Sequence, residues 1–283
     1  MRNQRGPTDS RETDAGADRL RAGDLPPAGA EETTPYDRIG AGYSRHRVPD
    51  ARIARAIVAA LGDAQSVVNV GAGAGSYEPR DRRVVAVEPS REMIRQRPAD
   101  AAPVVQASAQ ELPFRDGELD AAMTLLSIHH WPDWRAGLRE MRRVARRVVL
   151  FTWDPEYDVE GFWLVRDYFP DIPALDRTIF PFMREIEEVL GRVAVTVVPV
   201  PHDCTDGFLG AYWRRPELYL DADRRGAISS FGKVAGVEAR IERLRGDLRT
   251  GEWERRNGGL RGLEEIDLGY RLVVGAGGPV TEP

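Results

Sequence analysis

The chain is poor in cysteine, has no long apolar run and carries no strong excess of either charge. One cysteine, Cys204, in 283 residues excludes an internal disulfide framework and a cysteine-rich zinc site, and no metal is expected. No stretch approaches the roughly 18 apolar residues that a membrane span needs. The first residues hold no apolar signal core either, so the expectation is a cytoplasmic protein with no membrane partner. Basic residues number 40 and acidic ones 45, for a net charge of -5, and the two signs interleave as on solvated helix faces. That balance argues against nucleic acid as a partner. Residues 1–34 have almost no large apolar side chains. They bury too little surface to offset the entropy of ordering and read as a disordered tail, with order from Tyr36; 276–283 read as frayed.

What the sequence does have is a run from Val67 to Ser76, Val-Val-Asn-Val-Gly-Ala-Gly-Ala-Gly-Ser. Four residues suited to a buried strand lead into glycines at alternate positions. Seventeen positions after Gly71, a second apolar run, Val84 to Val87, ends in Glu88. A glycine-rich turn lets a ligand approach the backbone closely. An acid ending the next strand suits the two hydroxyls of a ribose. A dinucleotide fingerprint is spaced G-x-G-x-x-G and faces a pyrophosphate. Here the spacing is G-x-G-x-G, with Ser76 in the place of that last glycine. This disfavours a nicotinamide dehydrogenase and leaves a nucleoside cofactor or a plain strand-to-helix turn.

Along the chain, helices are predicted over 49–61, from Ser90 to about Arg97, over 134–145 and over 185–190, with more helix towards residue 250. Strands are predicted over 67–71, 84–88, 104–107, 119–126, 148–153, 193–200 and 270–274. The strands are continuous apolar runs alternating with helices, which points to a parallel sheet covered on both faces. The stretch 155–183 breaks that rhythm with aromatics and prolines.

From Asn69 to Arg147 the chain resembles the class I S-adenosylmethionine (SAM)-dependent methyltransferases of the ubiquinone/menaquinone-biosynthesis type, the type 11 family. The resemblance rests on ordered segments: Val-Gly-Ala-Gly-Ala-Gly, Val-Ala-Val-Glu-Pro-Ser-x-x-Met, Ala-Gln-Glu-Leu-Pro-Phe, Leu-Asp-Ala-Ala-Met followed by His129-His130-Trp131, and Glu140-Met141-x-Arg143-Val144. It implies an α/β, Rossmann-like fold with a mostly parallel seven-stranded sheet, helices on both faces and a helical substrate-cap insertion. The SAM-binding core is expected over about 62–154 of a domain spanning 35–275, with cap segments at about 155–183 and 201–260. The resemblance assigns the SAM site to Asn69, Gly71, Ala72, Gly73, Gly75, Glu88, Pro89, Met93, Ser108, Ala109, Gln110, Leu125 and Ser127, with Tyr43 on a covering helix. Glu88 would hold the ribose, and Pro89, Met93, Ser108 and Ala109 the adenine. Two departures stand out. Relatives often have an acid in the place of Asn69 and an aspartate in the place of Ser108.

The implied activity is methyl transfer to a small molecule at O, N or C, by a monomer or homodimer. The rival is a module that binds SAM or S-adenosylhomocysteine (SAH) without transferring methyl. His129 and His130 are nearest the expected methyl and are candidates for base or orienting group, or else they pack the loop after the fourth strand. His202 with Asp203 is a second candidate pair, against a plain loop. Tyr36, Arg45, Trp153, Asp154, Asp203, Tyr212, Trp213 and Arg214 are the candidate acceptor contacts. For Asp154 the alternative is an Asx-turn, and for Tyr212-Trp213 an aromatic face packed on the sheet.

Overall fold

The computed structural model describes residues 46–277, so the expected tail and the candidates Tyr36, Tyr43 and Arg45 lie outside the described residues. Helix α1, Ala51–Leu61, starts where the Asp50 carboxylate accepts from the Arg52 backbone N–H at 2.9 Å, and Ile53, Ile57 and Leu61 form its buried stripe. Strand β1, Ser66–Val70, is buried along its whole length. It is followed by β2, Arg83–Val87, and by α2, Arg91–Arg95, whose N-cap is Ser90. Then come β3, Val104–Val105, β4, Leu119–Leu125, α3, Trp134–Val144, and β5, Ala145–Trp153.

The remaining elements are α4, Asp171–Ile179; α5, Met183–Leu190; β6, Val193–Val197; β7, Val200–Pro201; α6, Ala222–Gly226; α7, Val237–Thr250; α8, Glu252–Asn257; β8, Glu265–Ile266; and β9, Tyr270–Ala276. The seven-stranded sheet runs β3-β2-β1-β4-β5-β9-β6. Its first five strands are parallel, and β9 is antiparallel to both β5 and β6. The strand expected over 193–200 is in fact two pieces. Pro199 has no N–H to continue the ladder, and Val200–Pro201 instead pairs with β8 in a separate two-stranded sheet. The third strand is also shorter than expected.

Two apolar layers cover the sheet. On one face α3 and α5 pack Leu138, Met141, Ile186 and Leu190 onto Val148 and Leu150. On the other, α1 joins a cap built from the chain between β5 and β9, with Trp163, Trp213, Tyr219 and Trp253 at its centre. The indoles of Trp163 and Trp253 meet edge to face at 5.3 Å. Trp163 Nε1 donates to the Trp213 carbonyl at 2.7 Å. No helix among the described residues is long and apolar enough to cross a membrane.

Strand order reverses between β1 and β4, the place where an open α/β sheet leaves a crevice at its carboxyl edge.

Candidate active site

That crevice is a cleft of about 290 Å³. Asn69, Gly71, Ala72, Gly73, Glu88, Pro89, Met93, Ser108, Ala109, Gln110, Leu125 and Ser127 all line it. Gly75 does not: its φ of 93° shapes the turn, and the space beside it is taken by Arg97 and Glu78. The Glu88 carboxylate is held at both oxygens. Oε2 accepts from the Gly73 N–H at 2.8 Å and Oε1 from the Ser90 N–H at 2.9 Å. This fixes an almost buried acid at the rim of the first glycine turn.

The turn is braced from behind. Arg97 and Glu78 form a buried ion pair at 2.7 Å, and Arg97 also donates to the Gly73 carbonyl at 3.1 Å. Asn69 Nδ2 donates to Glu78 Oε1 at 3.2 Å, while its buried Oδ1 has no partner among the described residues. An acid in the place of Asn69 would put a second carboxylate against Glu78; an amide gives it a donor. The departure noted from sequence thus has a local reason.

Two non-glycine residues with positive φ also line the cleft, Tyr77 at 62° and Leu126 at 51°. Such backbone costs on the order of 1–3 kcal/mol and persists only where the surroundings enforce it. For Tyr77 the enforcing contact is visible: its hydroxyl donates to the buried Asp206 carboxylate at 3.0 Å, which also pairs with Arg47 at 2.5 Å.

A second cavity adjoins the cleft, and Arg47, Leu126 and His130 belong to both walls. Its lining is mostly apolar and aromatic, including Trp153, Phe162, Ile172, Phe180 and Tyr270. His129 stacks on Phe180 with ring centroids 4.1 Å apart, and its Nδ1 is buried without a partner among the described residues. Burial, then the neighbouring His130, Lys233 and Arg47, hold His129 well below the usual imidazole range. Burial, then Lys233 and Arg47, bring His130 down to about 3. Both rings are neutral at pH 7.

Sequence reasoning missed Asp176 and Lys233, which line the same cavity. Asp176, on α4, is almost fully buried, and burial pushes its carboxyl up to about 6. Lys233 is the only lysine in the chain; burial lowers its ammonium, and Asp176 partly offsets that.

The other candidates go elsewhere. Trp153 is in the cavity wall, with Nε1 donating to the Leu268 carbonyl at 3.0 Å. Asp154 makes the Asx-turn, accepting from the Glu156 N–H at 3.0 Å, and faces Arg271 at 3.5 Å. His202 lies 3.3 Å from Glu264, and Asp203 is paired to Arg52 at 2.7 Å; neither lines the cleft or the cavity. Tyr212 and Trp213 are buried in the cap core, and Arg214 donates to the Leu263 carbonyl at 2.9 Å. Their aromatic surface is consumed by packing. Cys204 is buried, with its thiol pushed up to about 12 by burial. Among the described residues no group of three or more His, Cys, Asp or Glu could hold a metal ion.

Residues 68–151 match a family model described as a methyltransferase domain. Across most of its length the chain is similar to a putative methyltransferase from an antibiotic biosynthesis pathway of Anabaena variabilis. Identity is 35%, covering 82% of this chain and 99% of that one, with a TM-score of 0.75. A SAM-dependent methyltransferase of Thermotoga maritima, described as a possible histamine N-methyltransferase, shares the fold at 16% identity. It covers 86% and 98% of the two chains with a TM-score of 0.51. Among curated proteins, the uncharacterized methyltransferase YcgJ of Bacillus subtilis is 27% identical over 125 residues, 40% of this chain and 45% of that protein. The uncharacterized protein YafE of Escherichia coli is 36% identical over 63 residues, 21% of this chain and 30% of that protein. The chain therefore spans less than half the length of these curated relatives.

Proposed function

The chain belongs to the class I SAM-dependent methyltransferases, and on that premise we propose that it moves a methyl group from SAM to a small molecule held in the second cavity. The observation that carries this is the shared wall. Arg47, Leu126 and His130 separate and connect a glycine-lined cleft and an apolar cavity, as a donor and an acceptor in line require. The Anabaena relative is named for an antibiotic biosynthesis pathway, which fits a small-molecule acceptor.

The cleft fits the donor. A side chain at Gly71 would collide with Ser127 and Trp131, so glycine there lets the ends of β1 and β4 close against each other at the cleft. Glu88 offers carboxylate oxygens to a ribose, and Pro89, Met93, Ser108 and Ala109 offer a mostly apolar slot to an adenine. Leu125 to Ser127 would lie under the sulfonium. When bound, SAM supplies an activated methyl on a cationic sulfur. The residues of the chain orient the acceptor, exclude water and receive a proton where the acceptor has one to lose.

Calorimetric titration with SAH tests the donor site. Mass spectrometry of a metabolite extract incubated with the protein and SAM, read for a gain of one methyl, tests the transfer. SAH binding without any methylated product would favour the binding-module reading instead.

A further inference from the structure

Among the described residues, the second cavity has one acid, Asp176, to which no hydrogen bond is made. Only the charge of Lys233 offsets its burial. An unpartnered buried carboxylate costs stability, so its place in a cavity wall beside the donor cleft asks for a ligand that donates to it. We propose, resting on the methyl-transfer reading, that Asp176 is the acceptor-contacting carboxylate of this cavity and that the acceptor is a largely apolar molecule presenting a phenol-type hydroxyl, whose proton Asp176 takes.

Three observations select this class. The walls around Asp176 are aromatic and aliphatic, including Trp153, Phe162, Ile172 and Phe180, which suits a flat apolar body. Lys233, from the turn at 229–233, is the cation beside Asp176, while Arg47 in the same wall is paired with Asp206; a cation next to the base favours a hydroxyl giving up its proton. Proton transfer itself also discriminates. An ammonium that gives its proton to Asp176 is left with its lone pair facing Asp176. A phenol oxygen keeps further lone pairs for the methyl. The histidines are poor alternatives as bases, because His130 takes a proton only near pH 3.

The step balances. The hydroxyl O–H bond breaks and the proton passes to the Asp176 carboxylate. The oxygen forms a bond to the methyl carbon, the carbon–sulfur bond breaks, and SAH leaves as a neutral thioether. The carboxylic acid then returns its proton to solvent.

The experiment uses the full chain with SAM and three probe sets: alkylated phenols and naphthols, phenethylamines, and naphthoic acids. The expected result is methyl ether formation from the phenols alone. Asp176→Asn should lower kcat by about 100-fold or more with KM changed by less than about threefold. SAH affinity in that variant should stay within about twofold, and Asp176→Glu should recover part of the rate. In the native protein kcat/KM should rise with pH to a plateau above about 6, a limb that Asp176→Asn removes. The ionisable groups lining the cavity with Asp176 are Lys233, Tyr270, Tyr157, His129, His130 and Arg47. Lys233→Met, which moves the limb without abolishing it, separates their influence from that of Asp176. Preference for an amine or a carboxylate, an Asp176→Asn variant with an unchanged rate, or SAH binding with no phenol methylated would each overturn the proposal. Failure to bind SAH would overturn the donor-site reading instead.

Discussion

A β-carbon on Gly71 would lie 2.0 Å from Ser127 Oγ. The end of β1 and the end of β4 are thus in contact through a residue that has no side chain, and Ser127 is held there by the Trp131 indole N–H at 3.2 Å. Gly71 also has a φ of 67°. Gly71→Ala should cost about 1–3 kcal/mol from backbone strain and push Ser127 into the cleft. Thermal unfolding and SAH titration check this. Gly117→Ala is the control: it has a φ of 62° but open space around it, and it should lower stability while leaving SAH affinity unchanged.

Glu88→Ala should weaken SAH binding by at least about tenfold, on the order of 1.4 kcal/mol. The variant loses the proposed ribose contact and leaves the Gly73 and Ser90 N–H groups without their carboxylate. Calorimetry measures the affinity directly, and a smaller rise in Tm with saturating SAH is the independent readout.

Asp176 makes stability depend on pH in an unusual direction. Its carboxyl is raised by burial from 3.8 to about 6, so the folded state holds its proton more tightly than the unfolded chain does. Stability is therefore greatest below about pH 4 for this group and falls as pH rises through 6, by roughly 3 kcal/mol in all. Asp176→Asn should make the protein more stable than native at pH 7–8, with the difference shrinking towards pH 4. Urea unfolding across that range is the check. A variant no more stable at pH 8 than at pH 4, relative to native, would contradict the burial of this carboxylate.

His130 acts oppositely. Its imidazole is lowered from 6.5 to about 3 by burial, Lys233 and Arg47, so the unfolded chain takes up its proton first. The stability of the neutral folded ring is present above pH 6.5 and lost as pH falls towards 3. His130→Asn should flatten that acid limb, measured by the same urea series.

Trp163 tests the cap. It is fully buried against Tyr168, Tyr219 and Trp253. Trp163→Phe should lower stability by about 1–3 kcal/mol through the lost hydrogen bond to Trp213 and the vacated volume. Because it lies outside the cleft, SAH affinity should be unchanged.

The half of the fold around the glycine turn was legible because a parallel sheet writes its strands as continuous apolar runs and its turns as glycines. The residues lining the cleft follow the chain closely, so short segments such as Val87-Glu88-Pro89 carry their own context. The second cavity was not legible for a physical reason. Asp176 sits on a short helix between Leu175 and Arg177, where an acid reads as a solvated face. It is buried only because the turn at 229–233 and strand β9, far along the chain, close over it. Tyr212 and Trp213 erred in the other direction. An aromatic pair followed by two arginines looks like a ligand clamp, but its partners Tyr219, Val200 and Pro201 make it core. His202 next to Asp203 looked like a catalytic pair, yet Arg52 and Glu264 claim those side chains.

Strand β9 lies between β5 and β6 although more than 70 residues separate it from β6. During synthesis the sheet therefore stays open until residue 276 has left the ribosome. Until then β5 lacks its outer neighbour and β6, with Val195 and Val197 exposed even in the finished fold, has no partner at all. Contacts of such high sequence separation are slow to form, and an unpaired Val-Ala-Val-Thr-Val strand is adhesive while it waits. Tyr270, the first residue of β9, also lines the second cavity, so that cavity too is completed only when β9 docks between β5 and β6.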